Sequence, residues 1–368
     1  MINENRNMNI PTVSVTDTVN MLSALYENAI EKGITFRELV TPILWGPAGV
    51  GKSEGIGQLA ARLREVTGKR VEITDVRLLL FSPIDLRGIP THNADKTLSV
   101  WLRPQIFSMD EDESVINILF LDELSAAPQS VQAAAYQICL DRKVGEHRLP
   151  ENCIVIAAGN RTTDQSVSYK MPKALCNRLM HFCIESDFDS WRNWAMKNGV
   201  DSRIIGYLSF DNSRLCSEPG TSDMAYTTPR SWSFVNTVLK TMGESPERLH
   251  RLIGGCVGLD AAIEFEQWCK INSDLPKIED IISGNCAVYP KNQDTLYVLS
   301  ASLVTAVYSR RKNVLVEELE NVCAYAKRFP ADFAMSFFKD MTSIEDIRLK
   351  LMKCDSMKEW LSVNKRFM

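Results

Sequence analysis

Eight consecutive residues, Gly46, Pro47, Ala48, Gly49, Val50, Gly51, Lys52 and Ser53, match the pattern GxxxxGK[ST]. Glycines at this spacing let a backbone wrap until its N–H groups converge on an anion, which is how a short loop cradles phosphate. Lys52 then adds a point charge for β- and γ-phosphates, and Ser53 offers a hydroxyl to Mg²⁺. The apolar run VTPILW precedes the loop and a helical pattern follows it, so the positive end of a helix dipole should lie beneath the anion.

A second group closes the run INILFLDELS, residues 116–125. Its apolar residues read as a buried strand, with Asp122 and Glu123 at the carboxyl edge, where ligands of open α/β sheets bind. Asp122 is placed to hold Mg²⁺ through water, and Glu123 to orient and polarise an attacking water. An acidic pair ending a strand is also an ordinary solvated turn or helix cap. The phosphate loop about seventy residues upstream tips the reading towards chemistry. A third strand-like run, CIVIAAG, ends at Asn160. If it lies between the other two strands, the Asn160 amide stands near a γ-phosphate and can hydrogen-bond it, or the lytic water, without altering the charge balance.

These groups need a scaffold, and the hydrophobic pattern supplies one. Five strand-like runs, 39–45, 71–78, 115–121, 153–158 and 180–184, alternate with helical or loop stretches, which predicts an α/β fold of the P-loop NTPase type. Its parallel five-stranded sheet should carry helices on both faces. A leading helix is expected over 16–32. After residue 187 strand signals fade, and helical patterns follow at 191–197, 228–242 and 246–253, then at 295–309, 314–327 and 330–341. The expected domains are a large ATPase domain over 1–188 with its leading helix, a helical lid over 189–265, and a helical C-terminal extension over 266–368.

Composition narrows the remaining classes. The 368 residues are 45% hydrophobic and 24% charged, the profile of a folded globular chain. A net charge of -4 argues against a global basic field for nucleic acid, although a local basic strip stays open. No leader-like pattern opens the chain and no run is long enough to span a bilayer, so a cytoplasmic location without membrane attachment is expected. The ten cysteines are scattered without CxxC, and the four histidines are isolated, so reduced thiols are expected and a metal site made of protein ligands alone is not.

The segments GPAGVGKS, LFLDE, AAGN, KALCNRLMHF and TPRSW occur in the order and approximate spacing of AAA+ ATPases. Over about residues 36–255 the chain resembles that family, and more closely its MoxR-type and dynein-related branch, which carries an insert within helix 2. The resemblance implies ATP and Mg²⁺ as cofactors, hydrolysis of the γ-phosphate, and a homo-oligomeric ring, expected to be a hexamer. It also implies that Arg178 reaches the nucleotide of a neighbouring subunit, with Arg161 as the weaker candidate, and that Arg230 is a second sensor touching the γ-phosphate from the lid. A surface role for either Arg178 or Arg230 remains open at this point, with Thr227 or Thr228 capping the helix that Pro229 and Arg230 begin.

In the same resemblance the segment around His92 to Lys96 is the tip of the helix-2 insert. A second hairpin, turning at Gly145-Glu146, would bring Lys143, Glu146 and His147 to the substrate, or would be an exposed structural hairpin. The branch commonly works with proteins carrying von Willebrand factor A domains, which implies a protein client. GTP, used by McrB-like relatives, is the alternative base, but no NKxD-type guanine reader is present. A nucleotide-gated module without turnover and a nucleic-acid motor are the rival functions. Glu123 and Arg178 weigh against the first, and the acidic balance against the second.

Overall fold

The computed structural model describes residues 9–161, 163–164, 169, 171, 173–220, 222–243, 246–271, 275–286, 288–290 and 294–364. The chain divides into two compact units, 1–187 and 188–368.

In the first unit, β1 (Thr12–Val13) and α1 (Val15–Glu31) are followed by β2 (Pro42–Trp45), α2 (Lys52–Thr67), β3 (Arg70–Arg77), α3 (Pro83–Arg87), and the pair β4 (Ile89–His92) and β5 (Ser99–Leu102). Then come β6 (Val115–Asp122), α4 (Gln129–Asp141), β7 (Lys143–Val144), β8 (His147–Arg148), β9 (Cys153–Gly159), α5 (Lys173–Cys176) and β10 (Met180–Ile184). Six strands form one sheet in the order β1-β10-β2-β9-β6-β3, and every pairing in it is parallel. This is a P-loop NTPase sheet, with the loop strand β2 separated from the acidic strand β6 by β9.

Parallel strands covered on both faces read as unbroken apolar runs, because each alternate residue still meets a core. β9 is buried along its whole length and β6 to its penultimate residue. Ile43, Leu119, Leu121, Val155 and Ala157 enter one core with Val131, Ala135 and Ile138 of α4. Their neighbours Leu44, Ile118, Phe120, Ile154 and Ile156 enter the other, against Leu22 and Tyr26 of α1 and Leu59 and Leu63 of α2. The expected helices on both faces are therefore present.

Two boundaries differ from expectation. The first strand starts at Pro42 and not at Leu39, because the Leu39 carbonyl accepts a hydrogen bond from Arg142 Nη2 at 2.7 Å in place of a ladder partner. The sheet also gains a sixth strand: Cys183 N donates to Pro11 O at 2.8 Å and Glu185 N to Val13 O at 3.1 Å, so the segment before α1 docks along β10. Ser14 then caps α1, its hydroxyl accepting from Asp17 N while the Asp17 carboxylate accepts from Ser14 N.

The second unit is helical: α6 (Phe188–Lys197), α7 (Ser202–Phe210), α8 (Pro229–Met242), α9 (Pro246–Val257), α10 (Leu259–Ile271), α11 (Ile278–Ile282), α12 (Thr295–Ser309), α13 (Val316–Ala326), α14 (Ala331–Thr342), α15 (Glu345–Leu351) and α16 (Asp355–Val363). A single buried apolar cluster runs through it from Trp191 to Met357. At its centre Tyr207 lies 5.4 to 5.7 Å, ring centre to ring centre, from Trp232, Phe265 and Trp268. Among the described residues no helix is long and apolar enough to cross a membrane.

Candidate nucleotide site

The loop between β2 and α2 takes a form that only its glycines allow at their positions. A Cβ on Gly46 would lie 2.6 Å from the Ile184 carbonyl oxygen, so the β10 backbone excludes any side chain at this position. Gly49 and Gly51 both hold positive φ, and Gly51 directly precedes α2, whose first residue is Lys52. Lys52 Nζ donates to the Gly46 and Pro47 carbonyls at 2.5 and 3.0 Å and to Asn160 Oδ1 at 3.0 Å. Its charge thus sits inside the loop, held by neutral oxygens that a phosphate can replace.

The parallel order brings the ends of three strands together around this lysine. At the end of β6, Asp122 Oδ2 accepts from Ser53 Oγ at 3.2 Å, and its Oδ1 accepts from Glu123 N at 2.8 Å. A hydroxyl and a carboxylate converging in this way form the oxygen-only, partial ligand set that Mg²⁺ takes beside phosphates. Among the described residues no group of three or more His, Cys, Asp or Glu side chains is gathered for a metal.

Glu123 adopts a left-handed backbone, φ 59°, which is uncommon outside glycine and asparagine. The strain is held by Leu124 N donating to the Ala158 carbonyl at 2.9 Å and by Ala126 N and Ala127 N donating to the Glu123 carbonyl. This sharp exit from the strand turns Glu123 out of the β6 line, half-buried, and strained backbone of this kind concentrates at reaction sites.

Ser125 was not legible as a site residue. Its hydroxyl accepts from Asn160 N at 2.9 Å and donates to Asn160 O at 2.9 Å, so it clamps both backbone groups of the residue whose amide meets Lys52. Only the spatial neighbourhood of β6 and β9 joins these two positions, which lie 35 apart in sequence. Ser125→Ala is expected to retain ATP binding and to lose turnover by about tenfold, with about 1–3 kcal/mol of stability, as the Asn160 polar groups lose their partner. Steady-state phosphate release and urea unfolding check this, and unchanged turnover in a variant that is measurably less stable would refute the positioning role.

Asp75, on the neighbouring β3, was also missed. Burial pushes its carboxyl above the usual range and the nearby Asp122 carboxylate adds to the rise. Arg77, paired in register with Asp122 and 3.9 Å from Asp75, opposes that rise.

The two candidate arginines of this unit differ in what holds them. Arg161 is committed within its own chain: it pairs with Asp164 at 2.8 Å and donates to Cys183 Sγ at 3.1 Å. Arg178 lies in the turn between α5 and β10, exposed, with no hydrogen bond or ion pair among the described residues. Arg230 stands in the second unit at the second position of α8, exposed, behind the Thr228 cap that accepts from Ser231 N.

Two hairpins flank α4. The first, β4 and β5, pairs Ile89 with Leu102 and His92 with Ser99, and its tip is closed by Asn93 Oδ1 accepting from Thr97 N and Leu98 N. In the second, β7 and β8, Gly145 has φ 58°, and a Cβ there would lie 2.6 Å from the Arg87 carbonyl oxygen. His147 Nε2 is 2.7 Å from the Trp101 carbonyl oxygen, so its ring ties the two hairpins together, whereas Glu146 is exposed and Lys143 half-buried.

No family model matches the sequence, and no curated protein matches it. Solved structures to which the chain is similar include a mutant RuvB of Thermotoga maritima, at TM-score 0.35 and 14% identity over 80% of this chain and 86% of that one. NtrX from Brucella abortus in complex with ADP is similar at TM-score 0.33 and 12% identity over 91% of this chain and 67% of that one. A chain of the E. coli MS115-1 complex of HORMA, CdnC and Trip13 is similar at TM-score 0.37 and 12% identity over 72% and 90%. The strand order and loop geometry described above stand independently of these likenesses.

Proposed function

We propose that the chain is an AAA+ ATPase that binds ATP with Mg²⁺ at residues 46–53 and hydrolyses it in a homo-oligomeric ring, using the cycle to remodel a partner protein. The observation that carries the reading is the convergence of Lys52, Ser53, Asp122, Glu123 and Asn160 at the carboxyl ends of three adjacent parallel strands.

Each side chain has a distinct task there. Lys52 offsets phosphate charge, and the loop N–H groups supply the cradle. Ser53 and Asp122 give Mg²⁺ two oxygen partners, the second through water; bound there, the ion would neutralise charge on the phosphates. Glu123, turned out of its strand, orients and polarises the attacking water, and Asn160 fixes the γ-phosphate or that water through its neutral amide. Arg178 is the candidate for completing the site of the next subunit, which agrees with its exposure and with its having no hydrogen bond or ion pair among the described residues. Arg230 is read as the lid sensor, with 189–265 as the lid and 266–368 as the extension that docks a client or braces the lid.

The hairpin at 89–102 and its contact through His147 support assignment to the MoxR-type and dynein-related branch, in which a von Willebrand factor A domain protein is the partner class. Titration calorimetry with ATP, GTP and Mg²⁺ tests the nucleotide reading directly. ATP is expected to bind saturably and more tightly than GTP, and chelating Mg²⁺ is expected to stop hydrolysis. Absence of saturable binding by either nucleotide would refute the proposal.

A further inference from the structure

Arg178 is presented on a short turn, and that turn must be held if the guanidinium is to meet a neighbour's nucleotide in one geometry. The turn spans residues 176–179 and is closed by Leu179 N donating to the Cys176 carbonyl at 3.3 Å, with Arg178 at its third position. A hydrogen bond of that length is weak alone. The same carbonyl, at the end of α5, lies 2.7 Å from Nε2 of His181 on β10.

His181 has a second partner. Trp45 Nε1 donates to His181 Nδ1 at 2.9 Å, and the two ring planes are parallel, as suits a hydrogen bond to a lone pair in the plane of the imidazole. An indole nitrogen only donates, so Nδ1 is the acceptor; the imidazole proton therefore sits on Nε2 and is donated to the Cys176 carbonyl. Histidine meets both demands, since its neutral ring accepts at one nitrogen and donates at the other.

Strand register puts this bridge in place. His181 pairs with Ile43 in parallel register, so it shares a sheet face with Ile43 and with Trp45 two residues on. Trp45 is buried in the core that also takes Ile138 of α4, and it is joined directly to Gly46, whose carbonyl accepts from Lys52 Nζ. Leu179, in the same core, anchors the far side of the turn. One end of the bridge is thus fixed in buried structure at the base of the phosphate loop, and the other holds the turn that carries Arg178.

We propose that His181 is a positioning residue for the reaction: anchored on Trp45, it donates to the Cys176 carbonyl and so fixes the 176–179 turn and the direction in which Arg178 leaves the subunit. The inference rests on the reading of Arg178 as the arginine that completes a neighbour's site. Misplacing a group by about 1 Å can cost about a hundredfold in rate, so loss of the bond to Cys176 should be felt in turnover and not in ATP affinity.

Two substitutions separate the two bonds. A glutamine amide nitrogen stands near the place of Nε2 and can still donate to Cys176, whereas an asparagine amide stands near Nδ1 and can serve only Trp45. His181→Asn is expected to lower kcat about ten- to a hundredfold with KM for ATP unchanged, and His181→Gln to stay within about threefold of the parent. A loss beyond about tenfold in folded His181→Gln would overturn the inference, whatever the asparagine variant does.

Mixing subunits then locates the defect. With Lys52→Ala subunits, whose arginine is intact, His181→Asn should regain ATPase; with Arg178→Ala subunits, which have no arginine to give, it should not. Recovery with Arg178→Ala, with both partners or with neither, in variants that circular dichroism shows to be folded, would overturn the role of His181. Arg178→Ala mixed with Lys52→Ala is the control. If that pair regains activity while the His181 pattern fails, only the role of His181 falls; if Arg178→Ala alone turns over normally, the reading of Arg178 falls and the role of His181 with it.

Discussion

Glu123→Gln is expected to bind ATP as tightly as the parent chain and to hydrolyse it at least about a hundredfold more slowly, because an amide cannot accept a proton from the attacking water. The substitution is nearly isosteric, and the left-handed turn that presents residue 123 is held by backbone bonds to Ala158, Ala126 and Ala127, which the change leaves alone. Affinity and rate should therefore separate. The check is paired: equilibrium binding of ATP and phosphate release, on the same preparation. Turnover within about threefold of the parent would remove Glu123 from the water-polarising role.

Arg178→Ala carries the second large effect. If its guanidinium compensates charge on the phosphoryl group held by a neighbour, its loss should cost about a thousandfold in turnover while ATP binding persists, because that charge is needed chiefly in the transition state. Mixing distinguishes an arginine acting in trans from one that merely stabilises its own subunit. Arg178→Ala and Lys52→Ala subunits, each inactive alone, complete a site wherever an intact loop on the first faces an intact arginine on the second. ATPase should return in mixtures and rise with protein concentration as assembly proceeds. Undiminished turnover by Arg178→Ala alone would rule the role out. Arg161 is then a poor replacement, since its guanidinium is held by Asp164 inside its own chain.

What was legible in the sequence follows from how local each signal is. The loop at 46–53 and the acidic strand end could be read because the groups that act are contiguous and the strands carrying them are unbroken apolar runs. The position of β9 between β2 and β6, the condition on which Asn160 was placed near a γ-phosphate, is observed, and it brings Asn160 Oδ1 to Lys52 Nζ, a contact that the sequence did not announce. Helix α12 was placed to the residue, and of the two caps expected for α8, Thr227 or Thr228, the structure uses Thr228. The edge strand at Thr12–Val13 left no trace, since two residues have no periodicity and its pairing depends on β10, far along the chain.

Packing hid other elements. Helix α7 was missed because SRIIGYLSF contains a mid-helix glycine, which lowers helix propensity. The structure supplies its reason: a Cβ on Gly206 would lie 2.9 Å from both the Trp268 ring and Val298 Cα, so α7 must approach α12 closely. Ser125 and Asp75 escaped for a different cause. Serine and aspartate occur at many strand ends, and only the three-dimensional neighbours, Asn160 and Asp122, give these two a role.

The central claim is that the 46–53 loop binds and turns over ATP, and its most direct measurement is phosphate release from Mg²⁺ and ATP by the intact chain beside Lys52→Ala at the same concentration. Lys52 is held by the loop carbonyls and Asn160 Oδ1, so its removal takes away the charge that offsets the β- and γ-phosphates. The account predicts protein-dependent phosphate release from the intact chain and none above background from Lys52→Ala. Equal rates from the two proteins would contradict it.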